Sequence, residues 1–400
     1  MRWASALSRD PDPSRAFLEA SEALERQLAG QKADLLLAFV SAEHAEGCHH
    51  LTRLAAQRFP QALLAGCTGL GVIGDAREAE EGPALSLTGA SLPGVKRIGF
   101  HREMTSLPKP ADGPSAWHEL TGVAPEARPK ILLLAEPFTI DPLGLIAGLD
   151  LAYPGAPKFG GLASGGQGPG EHRLLLGGEV HRSGAVGVVF SGDVEVETVI
   201  AQGCRPIGAP MLVARARDGV ILEFDRGAPL KVLADLYGSL DARDRTLMQN
   251  SLFVGVDMHG ERVQYDPGEL LVRNIVGVDQ ESGAIAVGTS LEPMQVVQFV
   301  LRDAHTAEED LRQLLERKRR SGVERPAGAL LFSCTGRGAG LFGCADHDTS
   351  LFEEKLGPTP LGGFFCNGEI GPVGASTFLH GYTSAFALFR QASRPSRGDA

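Results

Sequence analysis

Three times along this chain an apolar run leads through a helical stretch to a second apolar run that ends in glycines. The spacing is 31, 30 and 32 residues: Leu35 to Gly66, Ile131 to Gly161 and Leu330 to Gly362. Short, strongly apolar runs bounded by Gly or Pro read as buried strands, and the stretches between them carry helical periodicity. One unit (strand, helix, strand, glycine turn, strand) therefore recurs. Recurrence of that kind points to internal duplication and a mixed α/β fold of two pseudo-symmetric layered halves. Chance likeness among common βαβ pieces is the competing explanation.

The elements can be placed along the chain. Helices are expected from Pro13 to Gly30, His44 to Arg58, Pro142 to Leu149, Pro229 to Tyr237, Thr306 to Lys318 and Asp348 to Leu356. Thr306 and Glu309 form a capping-box pattern for the fifth of these. Hairpins are expected where Met211–Ala216 and Val220–Phe224 flank Asp218-Gly219, and where Leu270–Gly277 is followed by Ala284–Val287. Gly203 to Pro210 is rich in Gly and Pro and should break regular structure. With 400 residues the chain is long for one core, so two domains are expected, residues 1–205 and 206–400.

A formal net charge of -11 argues against non-specific binding to nucleic acid or to an anionic membrane, both of which need a Lys/Arg surplus. The basic cluster Arg317-Lys318-Arg319-Arg320 reads as the solvated end of a helix. Neither a secretory leader nor an apolar run long enough to span a bilayer is expected, which predicts a cytoplasmic protein. The six cysteines form no CxxC pair and read as reduced thiols. Neither a metal nor another cofactor is expected, and Cys48-His49-His50 lacks ligand spacing.

The run from Ala329 through Ser333-Cys334-Thr335-Gly336-Arg337-Gly338, followed by Gly363-Phe364-Phe365 and Gly368-Glu369-Ile370, resembles the C-terminal half of the FIST family. Leu271–Asp279 and Leu301-Arg302-Asp303-Ala304 are similar to that half too. Met1–Leu7, Gly66-Cys67-Thr68-Gly69 and Gly160-Gly161 resemble its N-terminal half. The resemblance implies a sensory module of signal transduction that binds a small polar metabolite such as an amino acid and is read by a separate signalling protein. One departure is His380-Gly381-Tyr382-Thr383, where the family often carries Asn in place of Gly381.

Residues at these strand ends are the candidate ligand contacts: Cys67, Thr68, Gly69, Ser164, Cys334, Thr335, Arg337, Gly338, Asn367, Gly368 and Glu369. Small residues there expose backbone N–H groups that can cradle an anion. Arg337 and Glu369 have the polarity to hold an amino acid at both ends, and their pairing with each other is the structural alternative. Two other functions are open. One is a hydrolase or transferase with Cys334 or Cys366 as nucleophile and His380 or His347 as base. The other is a protein-interaction scaffold.

Overall fold

A computed structural model describes residues 1–258, 265, 268–322 and 324–392. Two compact units emerge. One holds residues 1–200, 314–379 and the chain from Thr383; the other holds 201–313 and 380–382.

The first unit is built from three copies of one repeat. The first copy comprises β1 (Arg2–Ser8), α1 (Pro13–Leu28), β2 (Leu35–Ser41), α2 (Cys48–Arg58), β3 (Leu63–Gly69), the hairpin β4 (Val72–Gly74) and β5 (Arg77–Ala79), and β6 (Leu85–Ser91). The second comprises β7 (Val95–Arg102), α3 (Gly113–Thr121), β8 (Lys130–Ala135), α4 (Pro142–Ala152), β9 (Lys158–Leu162), the hairpin β10 (Leu174–Leu176) and β11 (Glu179–His181), and β12 (Ala185–Gly192). The third opens with β13 (Val194–Ala201).

The second unit then intervenes in the chain. It holds β14 (Cys204–Arg217), β15 (Val220–Phe224), α5 (Pro229–Ser239), α6 (Ala242–Asn250), β16 (Leu252–Asp257), β17 (Leu270–Val278), β18 (Ile285–Val287) and β19 (Val296–Arg302). The third repeat resumes with α7 (Ala304–Arg320), of which residues 304–313 fall in the second unit, and continues with β20 (Gly328–Cys334), α8 (Ala339–Phe342), α9 (His347–Leu356), β21 (Leu361–Cys366), the hairpin β22 (Glu369–Val373) and β23 (Ser376–His380), and β24 (Ser384–Gln391).

Each repeat centres on a parallel pair, β2 with β3, β8 with β9 and β20 with β21. The sheets run β1-β6-β2-β3-β10-β11, β7-β12-β8-β9-β22-β23 and β13-β24-β20-β21-β4-β5. The order is the same in all three, with one consequence for folding. Every repeat lends its hairpin to another repeat's sheet: the first to the third, the second to the first and the third to the second. The repeats are thus interlocked rather than strung in line.

Strand periodicity explains the layering. Leu35, Leu37 and Phe39 alternate with Leu36, Ala38 and Val40; the first set joins a core shared by the three sheets, the second packs under α1 and α2. Leu132 and Leu134, and Leu330 and Phe332, enter the same shared core. Both faces are buried, which is why these strands read as unbroken apolar runs.

The glycines that end each recurring segment begin inside the strand. Gly66, Gly160 and Gly363 occupy matching places in the parallel pairs, opposite Ala38, Leu133 and Leu331. A Cβ on any of the three would lie 1.8 Å from the carbonyl oxygen of that opposing residue. Glycine is therefore required for close backbone approach.

In the second unit, the six antiparallel strands close a barrel in the order β14-β15-β18-β17-β16-β19. Both expected hairpins are present within it. Residues 204–210 of the expected break are instead part of β14, which takes up Gly208 and Pro210 through a register shift between Ile207 and Met211. The helix expected from Thr306 starts at Ala304, and its cap is Asp303, whose carboxylate accepts from the Thr306 amide at 2.9 Å and the Thr306 hydroxyl at 3.1 Å.

Candidate functional site

The carboxyl ends of the three parallel pairs gather most of the candidate residues. Ser41, Glu136 and Cys334 are equivalent there. Their amides donate to the carbonyls of Ala84, Gly184 and Thr383, each at 2.9 Å. Just past the second strand of each pair the equivalents are Leu70, Ser164 and Asn367, each four residues beyond the glycine that faces the carbonyl.

Ser164, which is fully buried, ties the three repeats together. Its amide donates to the Thr68 carbonyl at 3.2 Å, its hydroxyl accepts from the Leu70 amide at 2.8 Å, and the same hydroxyl donates to the Phe365 carbonyl. The Asn367 amide donates to the Leu162 carbonyl at 3.1 Å and the Leu162 amide to the Gly368 carbonyl at 2.9 Å. The Thr335 amide donates to the Cys366 carbonyl at 3.0 Å. Thr68 is held by Arg173, whose amide donates to its hydroxyl at 3.1 Å. Thr68, Gly69, Ser164, Thr335, Asn367 and Gly368 thus converge from all three repeats. At the rim of this platform Asn367 and Leu70 are exposed, and Cys334 and Thr335 are half-buried. Cys67 points the other way, into the shared core.

Arg337 and Glu369, expected from sequence to hold a ligand at both ends, do not open to solvent. Arg337 is 2% exposed and Glu369 is fully buried. The Arg337 guanidinium takes its carboxylate from within the chain: Nε donates to Asp348 Oδ2 at 2.7 Å and Nη2 to Oδ1 at 3.0 Å. It also lies over the Phe342 ring, against which His347 stacks with centroids 3.5 Å apart. Glu369 Oε2 accepts from the Thr383 amide at 3.2 Å. Gly338 adopts φ +73°, and a Cβ there would meet the Glu80 carboxylate at 2.3 Å.

Two acids that sequence patterns do not single out lie around Arg337. Asp348 lies in the first turn of α9 next to His347, whose Nδ1 is 3.0 Å from Asp348 Oδ1. Burial works to raise the Asp348 carboxyl, but Arg337 and then His347 outweigh it and hold it below the usual carboxylate range. Glu78, on β5, accepts from the Thr349 amide at 2.9 Å. Burial and then repulsion from Asp348 push its carboxyl up to about 8. In the second repeat the place of Glu78 is taken by Val180, so aligning the repeats would have flagged it.

A second missed pair lies at the platform. Glu136 Oε1 is 2.7 Å from His172 Nδ1, and both side chains are fully buried. His172 Nε2 accepts from the Gly166 amide at 3.1 Å, so the ring proton resides on Nδ1 and is donated to Glu136. Both ring nitrogens are thereby committed to holding the loop after β9.

All six cysteines are free thiols. Burial pushes the Cys366 and Cys67 thiols well above their ordinary range and Cys48 up to about 12. A thiol held protonated is a poor nucleophile, which weighs against Cys366 in a catalytic role. Cys334 is half-buried and Cys344 exposed. His380 is buried at the end of β23. Among the described residues no group of three or more His, Cys, Asp or Glu is arranged to hold a metal, and no helix is long and apolar enough to cross a membrane.

Comparison with known proteins matches residues 34–226 to the FIST N domain and 229–372 to the FIST C domain. An uncharacterized protein of Mycobacterium tuberculosis is 35% identical over 391 residues, covering 97% of this chain and all of that one. An F-box/LRR-repeat protein of Arabidopsis thaliana is 29% identical over 134 residues, 30% of this chain and 25% of that protein. Among solved structures, the cyanuric acid hydrolase of A. caulinodans covers 98% of this chain and all of its own, at 9% identity and a TM-score of 0.35. With its two matched domains spanning nearly its whole length, this chain belongs to the FIST family, whose domains are generally sensory modules of signal transduction.

Proposed function

We propose that this protein senses a small polar metabolite, with amino acids as the first class to test, and that the ligand docks on the strand-end platform around Thr68, Ser164, Cys334, Thr335 and Asn367. The observation that carries the reading is the convergence of these residues, from three repeats, at the carboxyl ends of parallel strands. In α/β proteins that is where ligands are most often received. Exposed Asn367 and half-buried Thr335 supply donors and acceptors at the rim. Beneath them Ser164, Arg173 and the Glu136–His172 pair fix the backbone, so the platform is rigid before any ligand arrives.

Recognition in this reading rests on the rim rather than on Arg337 and Glu369, which are both buried. Ligand binding would shift a conformational equilibrium read by a separate protein. The test is a thermal-shift screen against the amino acids. A ligand at 100 times its dissociation constant stabilises by about 2.7 kcal/mol. A hit should lose most of its shift in Asn367→Ala and Thr335→Val. A flat panel rejects amino acids, and a hit indifferent to both substitutions rejects the platform.

A further inference from the structure

The first and third repeats each leave a cavity where their two helices end. In the first it measures about 390 Å³ and is lined by Leu28, Ala33 and Phe59, with Glu25, Lys32 and Arg58 as its charges. In the third it is smaller, about 130 Å³, and its character is different. Lys318 and Arg319 reach it from α7, Lys355 from α9, Arg390 from β24 and Arg325 from the segment before β20. Glu324 is the one carboxylate in that lining, and Pro326, Leu356 and Leu388 form its apolar surface.

We propose that this pocket binds a phosphate group, as inorganic phosphate or as the end of a small phosphomonoester. Five cations against one acid is a local reversal in a chain whose formal net charge is -11. Three of the five are drawn in from solvent: side-chain exposure is 19% for Lys318, 19% for Lys355 and 11% for Arg390. Withdrawn cations approaching from several directions suit a tetrahedral dianion better than a planar carboxylate. The volume, about 130 Å³, is enough for one such group.

The existing partners leave the pocket short of negative charge. Glu197 pairs with both Lys318 and Arg390, Lys355 pairs with Glu354, and Arg319 turns back to Glu316. Arg325 donates Nε to the Thr359 hydroxyl at 3.2 Å and, among the described residues, is paired with no carboxylate. Burial and then the nearby Arg390 charge lower the Lys318 ammonium, and burial lowers the Arg390 guanidinium. An incoming anion relieves both effects. The cluster Arg317-Lys318-Arg319-Arg320 reads from sequence as a solvated helix end, and Arg317, Arg319 and Arg320 are indeed exposed; Lys318 is the member drawn inward.

The test is calorimetric titration of the full chain with inorganic phosphate and, separately, glycerol phosphate, at constant ionic strength set with chloride. Saturable binding at one site is expected. Arg325→Gln and Lys355→Gln should each weaken it about tenfold, as loss of a charged hydrogen bond does. Lys32→Gln, at the corresponding cavity of the first repeat, should leave it unchanged. Tighter binding of glycerol phosphate assigns the site to a phosphomonoester, and equal or weaker binding assigns it to the free ion. Circular dichroism identifies any variant that fails to fold, and the other substitution then stands alone. Absence of saturable binding, or binding that a folded Arg325→Gln or Lys355→Gln leaves intact, overturns the proposal.

Discussion

Arg337 and Asp348 meet in a bidentate ion pair, with Nε 2.7 Å from Oδ2 and Nη2 3.0 Å from Oδ1, and both side chains are sealed from solvent. The pair joins the loop after β20 to the start of α9. Breaking it from one side leaves a buried charge uncompensated, which typically costs about 3–5 kcal/mol. Arg337→Ala should therefore destabilise the fold by that order in urea denaturation. A loss below about 1 kcal/mol would mean the pair is dispensable.

The neighbouring Glu78 gives stability a pH dependence of unusual sign. Its carboxyl is raised to about 8 in the fold, so between the ordinary Glu range and pH 8 the folded state binds more protons than the unfolded one. Stability conferred by this group is full in mild acid and falls as pH rises through that window. Asp348 acts oppositely: its lowered carboxyl confers stability at neutral pH that is lost in strong acid. Glu78→Gln should flatten the decline between pH 5 and 8 and stabilise the protein at pH 8 by on the order of 1–3 kcal/mol. Chemical denaturation at several pH values measures this, and an unchanged slope contradicts the assignment.

Glycine at position 363 is a steric requirement. Gly363→Ala places a methyl 1.8 Å from the Leu331 carbonyl oxygen on a backbone with φ +154°. Forcing β20 and β21 apart should cost about 3 kcal/mol or more. Gly340, with open space around it in α8, provides the contrast, and Gly340→Ala should change stability by less than about 1 kcal/mol. Equal effects at the two sites would refute the close-approach argument.

Ser164→Ala removes one hydroxyl and leaves the Leu70 amide and the Phe365 carbonyl without it. The expected loss is about 1–3 kcal/mol, the cost of stranding buried polar groups. Hydrogen exchange should show the Leu70 amide losing protection first; an unaltered rate at Leu70 would count against the bridging role.

Thiol labelling separates the cysteines by burial. Iodoacetamide at neutral pH should modify exposed Cys344 first and Cys334 more slowly, while Cys48, Cys67 and Cys366 react only on unfolding. Fast modification of Cys366 in the folded protein would revive it as a nucleophile.

Much of the fold is legible in local sequence. The strands Leu35–Ser41 and Gly328–Cys334 and the helices around them follow from apolar runs and turn residues that act over a few positions. Repeat spacing reveals the duplication, because copies of one unit keep their internal distances. Position in the repeat also gathers Thr68, Ser164 and Asn367 at strand ends. What local sequence cannot encode is which partner a charge finds. Arg337 meets Asp348 because the short α8 turns the chain back, and Glu78 meets Asp348 because the first repeat's hairpin crosses to the third repeat's sheet. Those pairings depend on contacts between residues as much as 270 positions apart (Glu78 and Asp348), and on burial that decides whether a charge faces a ligand or its own chain. Only the tertiary structure sets them.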